Sequence, residues 1–128
     1  MGEDWLLAAI ARVECALESL RETLASVGEV LEPAQADRRA GVPLVAIADR
    51  LARDGGDPRS AIAGAFREYE QAVAALRAQV VHALVDEEGV TRSALAGRLS
   101  LSRQSVTRLY QAGEKLRQLR DQVEAKDP

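Results

Sequence analysis

Apolar side chains recur at alternating intervals of four and three residues over much of this 128-residue chain, and that period suits only one kind of backbone. Leu6, Ile10, Val13, Leu17, Leu20, Leu24, Val27 and Leu31 form a first row, and Ile62, Phe66, Tyr69, Val73, Leu76, Val80 and Ala83 a second. A third runs Leu109, Ala112, Leu116, Leu119 and Val123. An α-helix brings such positions onto one face, whereas a half-buried strand needs alternation with period two. The aromatic set is only Trp5, Phe66, Tyr69 and Tyr110, so Leu, Val, Ile and Ala must fill the interior, which favours helix against helix over a β-sandwich.

The first row spans almost four heptads with charged flanks. From Glu3 to Leu31 the helix would be about 44 Å long, more than a small domain needs, so it calls for a partner along its length. Pairing with the same helix of a second subunit is the preferred expectation, with all eight residues of the row at the dimer interface. Packing on the later long helix of the same chain is the alternative. Glu32-Pro33 is expected to end the helix, because proline lacks an amide donor and disfavours a helical predecessor. The chain would thus divide into a dimerisation helix over 1–32 and a helical domain over 33–128. The second row predicts a helix from Pro58 to about Val85, and the third a helix from Arg103 to about Glu124. Gly113 interrupts the latter, which implies either a closely crossing neighbour or a bend.

Between the last two helices lies Thr91-Arg-Ser-Ala-Leu-Ala-Gly-Arg-Leu-Ser-Leu-Ser-Arg-Gln-Ser-Val-Thr-Arg-Leu-Tyr-Gln111. Leu95, Ala96 and Leu99 mark the inner face of a short helix capped by Thr91, and Leu101 plugs the turn. Val106, Leu109 and Tyr110 mark the inner face of the next helix, with Ser102 as its N-cap. This is the pattern of a helix-turn-helix at 91–111. The expected fold class is therefore all-α: long helices with heptad seams plus a helix-turn-helix.

The segment Leu95-Ala-Gly-Arg-Leu-Ser-Leu-Ser-Arg-Gln-Ser-Val-Thr-Arg-Leu109 resembles the DNA-reading helix pair of bacterial transcription regulators, most closely the MarR type, and looks like the pair in resolvases and sigma factors. The resemblance covers roughly a fifth of the chain and implies a double-stranded DNA partner. One departure is clear. MarR-like domains continue into a two-stranded wing, whereas Tyr110 to Lys126 keeps a helical period with no hairpin signal.

Charge distribution agrees with such a partner. The net charge is −3, yet residues 91–120 hold Arg92, Arg98, Arg103, Arg108, Lys115, Arg117 and Arg120 against Glu114 alone. A local basic field on a mildly acidic body is the electrostatic footprint of a specific nucleic-acid reader. A solvated face whose arginines pair with acids of another helix would look the same in sequence. At the start of a recognition helix, Arg103 can fork onto guanine and Gln104 onto adenine, while Ser105, Thr107 and Arg108 can reach adjacent base edges. Thr91, Arg92, Ser93 and Ser102 lie at helix starts suited to phosphate oxygens. Arg98, Lys115, Arg117 and Arg120 would add salt-dependent affinity.

An internal likeness accompanies the pair. Gly41-Val-Pro-Leu-Val-Ala-Ile-Ala-Asp-Arg-Leu51 aligns with Gly89-Val-Thr-Arg-Ser-Ala-Leu-Ala-Gly-Arg-Leu99 at an offset of 48, and Arg59-Ser-Ala-Ile62 then matches Arg103-Gln-Ser-Val106. Either the helix pair is duplicated or Ala/Leu/Arg-rich sequence matches by chance. In the first copy Asp54 and Asp57 would repel phosphate, so it reads as a packing or dimer element, with Arg53, Arg59 and Arg67 as weaker backbone contacts and Asp57 as a helix cap.

Other residues carry less. Cys15 reads as a small packing residue beside the seam, Trp5 as core filling or an interface anchor, and His82 as structural. Asp86-Glu-Glu88 reads as a solvated helix end, since no further ligand-type residues are spaced to join it. No metal, cofactor or catalytic residue is expected, and an enzyme is disfavoured by the lack of a phosphate loop or nucleophile arrangement. With one cysteine, no secretory leader and no apolar run near 20 residues, a cytoplasmic, nucleoid-associated location is expected. The rival function is a helical protein-protein module: an antitoxin, a sigma or polymerase adaptor, or a partition accessory, binding its partner through the heptad seams.

Overall fold

A computed structural model of the chain describes residues 4–54 and 58–126. Over those residues the protein is all-α, with five helices and no strand: α1 Trp5–Arg39, α2 Leu44–Asp54, α3 Pro58–Asp86, α4 Arg92–Leu99 and α5 Arg103–Lys126. The three apolar rows fall on α1, α3 and α5. The chain forms two compact units, one of Met1–Val13 with Gln71–Pro128 and one of Glu14–Glu70.

Helix α1 is started by Asp4, whose carboxylate accepts the amides of Leu6 and Leu7 at 2.9 and 3.1 Å. It does not end at Pro33. It continues to Arg39, which corrects the expected helix end at residue 32. The proline removes one amide donor, but Ala34-Gln-Ala-Asp-Arg-Arg39 are mostly good helix formers, and a strong stop lies just beyond. Gly41 takes the left-handed conformation at φ 82°, with its amide on the Arg38 carbonyl at 3.2 Å and that of Val42 on Asp37 at 3.0 Å. These two bonds are the Schellman pattern that terminates a helix and satisfies its orphan carbonyls.

In the unit Glu14–Glu70, α2 is tied to α1 by the Arg50–Asp37 ion pair at 2.6 Å. Ser26, Val30, Pro33 and Ala34 of α1 line one groove with Ile47 and Leu51 of α2. The ion pair to Arg50 gives the segment after Pro33 a tertiary contact that favours its staying helical. Leu20 and Ile47 are the buried apolar residues of this unit. The rest of the α1 seam is open in the single chain: Leu17, Leu24 and Leu31 are exposed, as are Leu6 and Ile10 at its start, while Val13 and Val27 are half-buried. Cys15 is exposed rather than packed, because its position falls outside the apolar row.

The short helices of the two aligned stretches occupy equivalent places in the chain. Gly41 and Gly89 both adopt positive φ, at 82° and 69°, and each precedes a short helix followed by a long one. Ile47 and Leu95, matched at the offset of 48, are the sole buried residues of α2 and α4. The expected cap Asp57 lies outside the described residues.

Candidate nucleic-acid interface

The second helix pair is built on the end of α3. Val81, Leu95 and Val106 form the buried cluster, one residue each from α3, α4 and α5, and Leu84, Val85, Val90, Ala96, Leu101, Leu109 and Tyr110 pack around it. Val106 is fully buried. Burying side chains of this size is worth roughly 1.5–3 kcal/mol each, so three of them can hold an eight-residue helix that would be unstable alone.

Both expected caps form. Thr91 Oγ1 accepts the Ala94 amide at 3.1 Å, and Ser102 Oγ accepts the Ser105 amide at 3.0 Å. Between them the chain reverses at Ser100, in the left-handed region at φ 55°, while the amides of Ser100 and Leu101 both turn back to the Ala96 carbonyl. That reversal sends Leu101 into the core. Leu99, expected on the inner face, is instead 42% exposed, because Leu101 covers the cluster from the turn.

At the start of α5, Arg103, Gln104 and Arg108 are exposed, while Ser105 and Thr107 are half-buried. The Ser105 hydroxyl accepts from the Ser102 hydroxyl at 2.9 Å, so both serines are engaged in capping. Thr91, Arg92, Ser93 and Arg98 are exposed along α4, and Lys115 and Arg117 along α5; Arg120 is half-buried. Among the described residues no acid pairs with Arg98, Arg103, Arg108 or Lys115. The other basic residues here are held locally: Arg117 to Glu114 at 3.2 Å, Arg120 to Asp121 at 4.0 Å, and Arg92 with its guanidinium carbon 4.7 Å from the Tyr110 ring centre. Among the described residues, none of the seven forms an ion pair with an acid of another helix.

Beside this surface lies a cluster that residue spacing did not reveal. His82 is 5% exposed, and its Nε2 faces Asp86 Oδ2 at 3.1 Å and also contacts Glu114 Oε2. This corrects the reading of Asp86 as a solvated helix end with no joining ligands. Glu87 and Glu88 do face solvent, but Asp86 turns to His82 and accepts a hydrogen bond from the Tyr110 hydroxyl at 2.8 Å. The ring of Tyr110 stacks on that of His82, with centres 4.9 Å apart. Only the i,i+4 spacing of His82 and Asp86 was visible in sequence; Glu114 joins through a helix crossing. Gly113 makes the crossing possible, since a Cβ there would stand 2.3 Å from the Ala78 carbonyl oxygen and 2.6 Å from His82 Cβ.

The charges in the cluster shift one another. The hydrogen bond from His82, helped by Arg117, holds the Glu114 carboxyl below its ordinary value against the opposing effect of burial. The hydrogen bond to Asp86 raises the Tyr110 phenol, and Glu114 raises the Arg117 guanidinium. Each shift favours the protonation state present near neutrality.

No family model matches the chain, and neither curated proteins nor solved structures provide a match. No described helix is long and apolar enough to cross a membrane.

Proposed function

We propose that this chain is a sequence-specific DNA-binding protein, a homodimeric transcriptional regulator that reads the major groove with the start of α5. One observation carries the reading: Arg103, Gln104 and Arg108 are exposed at a serine-capped helix start, and neither arginine has an acidic partner among the described residues. An unpaired guanidinium can form a fork with guanine without first breaking an internal ion pair. Gln104 supplies the matching chemistry for adenine, with Thr107 beside them. Thr91, Arg92, Ser93, Arg98 and Lys115 would set register on phosphates, as would Ser102 through its end of the helix. Arg117 and Arg120 are weaker contributors because each already faces a carboxylate.

One such helix reads only a few base pairs, too few to find a site within a genome. The open seam of α1 supports dimerisation, which would double the readout and place two half-sites about 34 Å apart. Selection of bound duplexes from a random pool tests both parts, with a two-fold symmetric consensus expected. An enriched but asymmetric site, together with sedimentation as a monomer at micromolar concentration, would remove the dimer. No enrichment would remove the regulator. The protein-protein reading is favoured by one separate observation, the exposure of Leu44 and Val45 at the start of α2.

A further inference from the structure

We propose that His82, Asp86 and Glu114 form a binding site for a divalent transition-metal ion of the zinc class, bridging α3 and α5. The three ligand atoms lie within 4.8 Å of one another. The Nε2–Oδ2 separation of 3.1 Å is close to the roughly 3.3 Å that two donors on a tetrahedral zinc ion adopt at bond lengths near 2.0–2.1 Å, while Glu114 Oε2 lies closer to Nε2 than that and would draw back to admit the ion.

The trio has fewer hydrogens than acceptors. Two carboxylate oxygens converge on one ring nitrogen, and that nitrogen carries at most a single hydrogen. A charged imidazole still leaves the trio one negative charge in excess, and a neutral one leaves two. A divalent ion in place of that hydrogen gives all three atoms a ligand bond and offsets the carboxylates.

The ligands are also held in place by their neighbours. Each carboxylate offers one oxygen to the cluster while its other oxygen is fixed from outside: Asp86 Oδ1 by the Tyr110 hydroxyl at 2.8 Å, and Glu114 Oε1 by Arg117 at 3.2 Å and Gln118 at 3.4 Å. The His82 ring is clamped by stacking on Tyr110 and by burial. Contacts of this outer kind orient the ligands of metal sites. The carboxylates are also partly open, with 37% and 29% of their side chains exposed, so an ion and a completing water have a path. One imidazole with two carboxylates is a borderline donor set, suited to zinc, cobalt or nickel more than to calcium or magnesium, which prefer all-oxygen shells.

An ion there would fix α5 relative to α3. The same helix carries Arg103 and Gln104, and Tyr110 touches Arg92 of α4, so ion binding would favour one placement of the reading surface. That consequence rests on the proposed DNA function; the site itself does not, and it is tested without DNA. Cobalt(II) is titrated into the full chain while visible absorption is recorded, zinc is then added as competitor, and melting is followed with zinc or with chelator. The expected result is one cobalt per chain with intense ligand-field bands of a tetrahedral centre, loss of those bands on adding zinc, and a higher melting temperature with zinc. D86N and E114Q, which alter partly exposed side chains, should lose the bands while keeping the wild-type helical circular dichroism. Absence of cobalt bands and of any zinc-dependent rise in melting would overturn the proposal and leave an ionic trio alone. So would bands of undiminished strength in the D86N/E114Q double variant.

Discussion

Gly113 shows how one missing methylene group can organise a helix crossing. It lies in the interior of α5, where glycine costs about 1 kcal/mol relative to alanine, yet a Cβ would stand 2.3 Å from the Ala78 carbonyl oxygen. Backbone cannot yield as a flexible side-chain end can. Gly113→Ala is therefore expected to lower stability by about 1–3 kcal/mol in denaturant unfolding, despite the better helix propensity. A gain near 1 kcal/mol would mean that α3 and α5 do not approach closely there. Glu114, the next residue, gives a pH signature. Its carboxyl is held below its ordinary value, so its contribution to stability is present above the unfolded-state value and is lost as pH falls through the folded one. The difference in melting temperature between wild type and Glu114→Gln should then close as pH is lowered through the carboxylate range. A gap that stays constant would assign the effect to packing rather than charge.

At the scale of helices, α1 sets local propensity against chain context. Pro33 lies inside it and ought to cost up to about 3 kcal/mol in a helix interior, an amount reduced by the stiffness that proline also gives the unfolded chain. Pro33→Ala is expected to stabilise the protein by about 1–2 kcal/mol, measured by thermal melting. No change would place the true helix end before residue 33. The apolar rows made α3 and α5 legible in sequence, because a period near 3.6 over many residues leaves no rival backbone. Thr91 and Ser102 were legible too, since a hydroxyl residue before a periodic run has one obvious use. The extension of α1 was not, because the Gly41 stop acts eight residues beyond the proline that masked it. Leu101 was legible as the plug of the turn, but the exposure of Leu99 was hidden for a similar reason: helical spacing carries no information about where a left-handed turn will point the chain. Glu114 could not have been joined to His82 by spacing at all. Their contact spans 32 residues and depends on a glycine whose meaning appears only when the crossing helix is known.

For the molecule as a whole, the charge pattern and the placement of caps point the same way. A chain of net −3 gathers seven basic residues within positions 91–120 against one acid, and the structure keeps Arg103 and Arg108 exposed and unpaired among the described residues. The aligned pair in the other unit differs in this respect, since Arg50, which matches Arg98 at the offset of 48, is bound to Asp37 and Asp54. Among the described residues the second pair therefore has unpaired cations at both matched positions, Arg98 and Arg103, whereas the first does not. The most direct test is a gel-shift titration of wild type and the Arg103→Ala/Arg108→Ala variant on the duplex recovered by selection. The account predicts a loss of at least tenfold in affinity, since one bidentate base contact is worth about 1–3 kcal/mol, with helical content and melting temperature unchanged. Equal binding by the two proteins would contradict it.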